Sequence, residues 1–459
     1  MKLVKSLLLG SAAGIVAVAG ASAADLPSRK SAPVEYVRVC SEHGKGFFYV
    51  PGSDTCIQIG GRVRADTVYQ QSYNRNADSV GFGAQARINL DVRTNTPYGM
   101  VRSYLRYALS RGDAAWNTSG DYTSGTGIKT GAALDLAYIQ FAGLTAGRVQ
   151  SFFDFYADNY NFAAIRTSDV KTQALAYTAN FGSGWSATIA IEDGAERRMY
   201  NGFEGTSLGG RFEYDIPGYR SAGQTMPDVV GNIMVNQSWG AAQLSGALHQ
   251  VRPAFGSYGV VTDTANDVVY SAGYNDRKTT YGYAVKGAVK VNLPFIAPGD
   301  EFWAEVAYAE GALSYIGASN YGFHQNTNVP MTDAVLDANG KIKKTRGWSA
   351  MIDFLHYWTP SIRQNVFASY MKIDTNRAGY DTYDNVNYGR YNVGFVPTQE
   401  WRVGTNLIWS PIKNFDIGVE VLYTRTDPKG RVLSYNNGYA KTISSEDQWQ
   451  GRLRIQRDF

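Results

Sequence analysis

Ile57-Gln58-Ile59-Gly60-Gly61-Arg62-Val63-Arg64-Ala65-Asp66-Thr67-Val68-Tyr69 is the stretch whose pattern decides the fold. Its odd positions carry Ile57, Ile59, Val63, Ala65, Thr67 and Tyr69, whereas Gln58, Arg62, Arg64 and Asp66 occupy even ones. Alternation with a period of two makes a strand with one apolar and one polar face. The pattern returns in 84–93, where Ala86, Ile88, Leu90 and Val92 oppose Gln85, Arg87, Asn89, Asp91 and Arg93. Tyr283, Val285, Val289 and Val291 oppose Lys286, Lys290 and Asn292, and Leu453, Ile455 and Phe459 oppose Gln450, Arg452, Arg454 and Gln456. A soluble sandwich turns the apolar face to a core, whereas a membrane barrel turns it to lipid and the polar face to its lumen. Alternation alone does not separate the two; the repeat count, the connections and the cellular address do.

Strand patterns fall at approximately 57–70, 81–94, 98–111, 132–142, 143–150, 170–180, 183–193, 227–237, 240–252, 279–292, 300–313, 345–358, 362–374, 398–410, 414–426 and 448–459. Sixteen is an even number, as a bacterial single-chain barrel requires. Connections alternate in length. Thr96-Pro97, Ala142-Gly143, Gly182-Ser183, Trp239-Gly240, Thr359-Pro360 and Pro411-Ile412 sit in very short turns, and 194–226, 314–344, 375–397 and 427–447 are long and polar. Long irregular segments are unusual in compact soluble domains, but a barrel expects short turns at one end and long loops at the other. The fold expected is all-β: a sixteen-stranded antiparallel transmembrane barrel over 57–459.

The address agrees. Lys2 and Lys5 precede an apolar run from Leu7 to Ala19, and Ala21-Ser22-Ala23 offers a cleavage site before Ala24. This reads as a signal peptide over 1–23; the run is short for an uncleaved anchor, which needs about 20 apolar residues. Tyr, Phe and Trp make 13% of the chain and Gly numbers 49, a composition suited to strands, aromatic girdles and tight turns. The net charge of +4 gives no argument for nucleic acid, so any electrostatic function must come from separating charges in space. Cys40 and Cys56 are the only cysteines and lie in the segment 24–56, just before the first strand. In the oxidising periplasm such a pair is expected to form a disulfide, closing a hairpin that turns at Pro51-Gly52. A metal site would need further ligands, and His43 is the only nearby imidazole.

The lumen-facing positions are rich in arginine: Arg62 and Arg64, Arg87 and Arg93, Arg102 and Arg106, and Arg452 and Arg454 on the last strand, which neighbours the first if the barrel closes. Guanidinium stays charged at physiological pH, so this wall is a fixed positive field. Opposite it, the connection after 150 opens with Ser151-Phe152-Phe153-Asp154-Phe155-Tyr156-Ala157-Asp158-Asn159-Tyr160, too aromatic for a solvated loop. It is expected to fold inward, leaving Asp154 and Asp158 in the lumen to set a transverse field against the arginines. Arg166 and Asp169 are weaker candidates near its end. The plainer alternative is that the charges only pair along the wall, as Arg64 with Asp66 or Arg87 with Asp91.

The ASAADLP junction at 21–27, the Cys40–Cys56 hairpin, the run Ile57-Gln58-Ile59-Gly60-Gly61-Arg62, and Gly147-Arg148 leading into Ser151-Phe152-Phe153-Asp154 resemble the alphaproteobacterial outer-membrane porins of the rhizobial and Brucella type. The resemblance spans the mature chain. It implies a homotrimer in the outer membrane, each pore constricted by a third loop, passing small hydrophilic solutes and ions. It also implies contact with outer-membrane lipid and lipopolysaccharide, and recognition of the terminal Phe459 by the barrel-assembly machinery. An enzyme is not expected: His43, His249, His324 and His356 lie in no catalytic setting, and neither a metal nor a cofactor site is visible. A substrate-specific channel, for example for a sugar, is the alternative, with Phe152, Phe153, Phe155, Tyr156 and Tyr160 as an aromatic track.

Overall fold

The computed structural model describes residues 38–71, 78–113, 116, 128–157, 159–199, 221–253, 260–261, 269–270, 278–319, 329–337, 341–386, 389–436 and 439–459. The expected signal peptide and Asp158 lie outside them. The barrel strands are β1 Thr55–Gln70, β2 Val80–Thr96, β3 Gly99–Gly112, β4 Lys129–Phe141, β5 Leu144–Gln150, β6 Lys171–Gly182, β7 Trp185–Glu192 and β8 Asp228–Gln237. They continue as β9 Gly240–Val251, β10 Thr280–Asn292, β11 Glu301–Glu310, β12 Arg346–Thr359, β13 Ile362–Asp374, β14 Thr398–Ile412, β15 Phe415–Pro428 and β16 Glu446–Asp458. Every strand pairs antiparallel with the next. The cylinder closes between β1 and β16, from Arg62 opposite Asp458 to Gln70 opposite Gln450. All sixteen expected strands are present, and β13 matches its expected bounds residue for residue.

The faces are sorted as a membrane barrel demands. Ile59, Val63, Ile88, Ile189, Leu244, Val306, Ile352 and Val419 are exposed on the outside, while Asp66, Asp91, Glu305, Asp353, Asn365 and Glu420 are buried inside. The exterior is bounded by aromatic residues at both ends. Tyr98, Phe181, Trp185, Trp239, Phe295, Trp358 and Trp409 lie near the short turns, and Tyr69, Phe82, Tyr281, Trp348, Trp401 and Trp449 near the long connections. Such girdles suit the lipid–water interfaces, where a ring can be half apolar and half wet.

Two short turns show how sequence sets the tight end. Ala142 and Gly143 have φ of 49° and 87°, and Ser183 and Gly184 have 49° and 78°. Positive φ at both central residues gives the type I′ hairpin, whose twist matches that of the flanking strands. Closure is finished by the terminal residue: Phe459 N–H donates to Gly61 O at 3.1 Å, and Gly61 N–H donates to Phe459 O at 2.9 Å. A β-carbon at Gly61 would collide with both the Phe459 ring and the Arg87 carbonyl oxygen, which is why glycine stands there.

Before β1, Cys40 and Cys56 are joined, with Cα atoms 6.1 Å apart. The short strand Phe48–Tyr49 pairs with Cys56 and Ile57, and Val50 closes on Ser53 through the Pro51-Gly52 turn, with Gly52 at φ 77°. The long connections differ from the expectation that they lack regular structure. Tyr380–Asn385, Gly389–Gly394, Val432–Asn436 and Tyr439–Ile443 form a four-stranded sheet beyond the barrel rim, and Ala334–Leu336 pairs with Ile342–Lys344.

Candidate functional site

The third long connection, residues 151–170, enters the barrel, as its aromatic content predicts. Phe153 and Tyr156 are fully buried. Phe155, Tyr156 and Tyr160 gather around Trp303 of β11, with ring centroids 5.1, 5.4 and 6.4 Å away. Tyr156 is sealed against the wall and Phe155 packs on it, whereas Tyr160 also lines the open cavity. The backbone of the loop needs acceptors once it leaves water, and carboxylates on distant strands supply them. Glu192 of β7 takes Phe152 N–H at 2.8 Å, and Glu305 of β11 takes Tyr156 N–H at 2.6 Å. Glu420 of β15 takes Phe162 N–H at 2.6 Å and Ala163 N–H at 2.7 Å. Arg166 returns the loop by a two-pronged pairing with Glu400 of β14, at 2.6 and 3.1 Å. The loop therefore follows the inner wall from β7 around to β15 and comes back.

Other connections fold in beside it. Leu313, Tyr315, Ile316, Val329 and Met331 from the 311–345 segment, with Met199, pack on Phe153 and on the small inward residues Ala176, Ala190, Ala247, Ala284, Ala307 and Ala309. The mouth of the barrel along β6–β11 is thus filled by a hydrophobic core. A buried polar cluster pins it: His249 Nδ1 lies 2.8 Å from Asp228 Oδ2, and Tyr315 donates its hydroxyl to the same oxygen at 2.7 Å. Asp333 accepts from Leu313 N–H at 2.7 Å and Met199 N–H at 2.8 Å. Burial raises the Asp333 carboxyl above the usual carboxylate range, partly offset by His249 and these two N–H donors. His249 therefore holds a loop, and it has no route to a passing solute.

Asp154 does not stand where a transverse field needs it. Its side chain is 1% exposed and is bound by Gln150 Nε2 at 2.6 Å, Val170 N–H at 2.8 Å, Arg197 at 3.3 Å and the Ser168 hydroxyl. It ties the two ends of the loop together. Arg197 lies over the Tyr315 ring at 4.0 Å and is equally enclosed.

Arginines of β1, β2 and β3 face water, whereas Arg452 and Arg454 of β16 are buried. Side chains of Arg62, Arg93, Arg102 and Arg106 are 24–25% exposed, against 5% for Arg166. Arg62 pairs with Asp458 at 2.6 Å, Arg64 and Arg454 share Asp66 at 3.3 and 2.7 Å, and Arg93 and Arg102 share Asp91 at 2.8 and 2.9 Å. Asp91 thus serves Arg93 and Arg102, not Arg87. Arg106 reaches Asp135 at 3.3 Å, because a bulge between Arg106 and Tyr107 sets Asp135 out of register and into the lumen. Arg452 donates to Phe162 O at 3.1 Å, and the Arg454 guanidinium stacks on the Phe162 ring at 4.2 Å, so loop and wall touch there. On the short-turn side of that contact a cavity of about 500 Å³ opens, lined among others by Arg62, Arg64, Arg363, Arg454, Asn159 and Asn161. The two cysteine sulfurs are bonded to each other, which leaves His43 beside them without a thiolate partner for a metal.

A closed even-stranded barrel, apolar outside, charged inside and entered by its own loops, is an outer-membrane channel architecture. Residues 25–452 match the porin subfamily, and the chain belongs to that family. It is 36% identical to porin Omp2b of Brucella canis over 245 residues, covering 52% of this chain and 64% of that one. Porin Omp2b of Brucella abortus gives the same identity and coverage, so the matched stretch spans under two thirds of these relatives. Among solved structures, the outer membrane channel DcaP of Acinetobacter baumannii shares the fold with a TM-score of 0.59 at 15% identity, over 90% of this chain and 99% of that one.

Sequence reasoning missed Glu192, Glu305, Glu400 and Glu420. Glu192 and Glu400 are each the only acid of their strand, on an inward position, which was the available signal; Glu305 and Glu420 stand among other charges of their strands. Asp135 was hidden by its bulge.

Proposed function

We propose that this chain is a general diffusion porin, a water-filled channel that lets small hydrophilic solutes and ions cross the outer membrane. The observation that carries this is the division of the lumen. One side is filled by loops, while Arg62 on β1 and Arg102 on β3 keep their side chains about a quarter exposed, and an open cavity lies beside Arg62. A barrel serving only as an anchor or adhesin has no need to keep solvated charge there. We further propose that three copies assemble, as the likeness to alphaproteobacterial porins implies, and that Phe459 serves recognition by the assembly machinery. Arg62, Arg64, Arg87, Arg102, Arg106, Arg452 and Arg454 line the passage on this reading. The packed state of Phe153, Phe155, Tyr156 and Tyr160 counts against a sugar track. Liposome swelling tests the reading: uptake of small sugars should fall smoothly with solute size. Swelling by one sugar class alone would overturn it.

A further inference from the structure

The charges along the passage do not balance. Asp66 is shared by Arg64 and Arg454, and Asp91 by Arg93 and Arg102, whereas Arg106 and Lys171 have Asp135 and Asp169 between them. One carboxylate thus serves two cations at two places on the same wall. Arg87, the register partner of Arg62, has no carboxylate within pairing distance among the described residues, and its Nε is buried without an acceptor. Arg452 likewise has none, and its Nε and one terminal nitrogen are unsatisfied. Across the passage the loop offers Asn159, Tyr160, Asn161 and Phe162, which carry no charge. Of the loop's described acids, Asp154 is sealed away and Asp169 lies against Lys171, and the wall acids Glu192, Glu305 and Glu420 are consumed by loop backbone N–H groups.

A guanidinium presents a planar fork of N–H donors that matches the oxygens of a carboxylate or phosphate. A ladder of such forks with too few carboxylates of its own offers an oxyanion successive resting places, weak enough to leave and strong enough to enter. We propose that Arg454, Arg64, Arg62, Arg87 and Arg106 form an oxyanion track, so that this pore favours small carboxylates and phosphates over cations. The inference rests on the porin reading and adds the substrate class. The unpaired Arg87 is its centre, because it alone on the track has no carboxylate to leave behind when an anion arrives.

The test is the reversal potential of the folded trimer in a planar bilayer under a dilute potassium chloride gradient, where charges are least screened. The expected result is an anion preference, with inorganic phosphate slowing the chloride current. One unit charge at about 4 Å in a water-like medium shifts occupancy about fivefold, so Arg87→Gln should lower the preference by up to that factor and relieve the phosphate effect. Asn159→Asp, which puts an acid on the facing loop without touching the ladder, should lower the preference too. A conducting pore that is neutral or cation-preferring would overturn the proposal while leaving the porin reading intact. An anion preference unchanged by both variants would also overturn it. No conductance at all would remove the porin reading beneath it.

Discussion

Replacing Glu420 by alanine takes away the acceptor of two loop N–H groups, Phe162 at 2.6 Å and Ala163 at 2.7 Å, and of Asn406 Nδ2 at 3.0 Å. Hydrogen bonds to a charged group contribute roughly 1.5–3 kcal/mol each, and Glu420 is almost wholly buried, so little of that is lost to solvent screening. Two orphaned backbone donors therefore cost about 3–6 kcal/mol in the docked state. The base of the loop keeps its own ties, Tyr156 to Glu305 and Arg166 to Glu400, so the loosening falls on the tip around 159–163, where Arg452 and Arg454 still hold Phe162. Water can satisfy the freed N–H groups once the tip lifts, which makes lifting the favoured response. Single-channel recording of Glu420→Ala should then show greater open-channel noise and a shifted conductance, with heat-modifiable gel mobility confirming an intact barrel. Glu420→Gln, which keeps an oxygen acceptor without the charge, should fall between. Quiet channels of unchanged conductance from a folded Glu420→Ala barrel would refute the claim that wall carboxylates hold the loop.

The outward and inward faces should respond oppositely to charge: Val63→Arg, near mid-strand on the lipid side, should cost about 2–4 kcal/mol in urea unfolding from lipid vesicles, whereas Asn89→Lys on the lumen side should cost far less. Cys40→Ser with Cys56→Ser opens a loop with a sequence separation of 16 and should destabilise the hairpin by about 3 kcal/mol, read as faster amide exchange over 40–56 with conductance retained. Gly61→Val should displace the Phe459 ring, press on the Arg87 carbonyl of the neighbouring strand and slow barrel assembly, read as a larger unfolded band during refolding; Phe459→Ala in the same background should rescue assembly only in part.

How far the sequence carried is clear from particular residues. Strands were legible because a period of two in side-chain polarity is dictated by the pleat itself, so Ile57 to Tyr69 announces both faces without any knowledge of its neighbours. Loop 151–170 was legible as an inward loop because five aromatic residues within ten positions cannot all be solvated. Asp154 was misplaced for the opposite reason. Its environment is set by Arg197, which lies 43 residues away in sequence and reaches it only through tertiary packing. The loop anchors were invisible on similar grounds, since Glu420 meets Ala163 across a separation of 257 residues. The choice of Arg93 and Arg102 over Arg87 for Asp91 was equally beyond a one-strand reading, because it depends on cross-strand register as well as spacing.

Conduction requires that loops and wall together leave a continuous aqueous passage through this barrel. It is tested most directly by adding the purified, refolded protein to a planar bilayer and recording current at fixed voltage. Stable ohmic steps of uniform size are expected, arriving in threes if three copies assemble. Silence from protein shown to be folded, β-rich and inserted would contradict the passage, and would mean that the inward loops close the lumen completely.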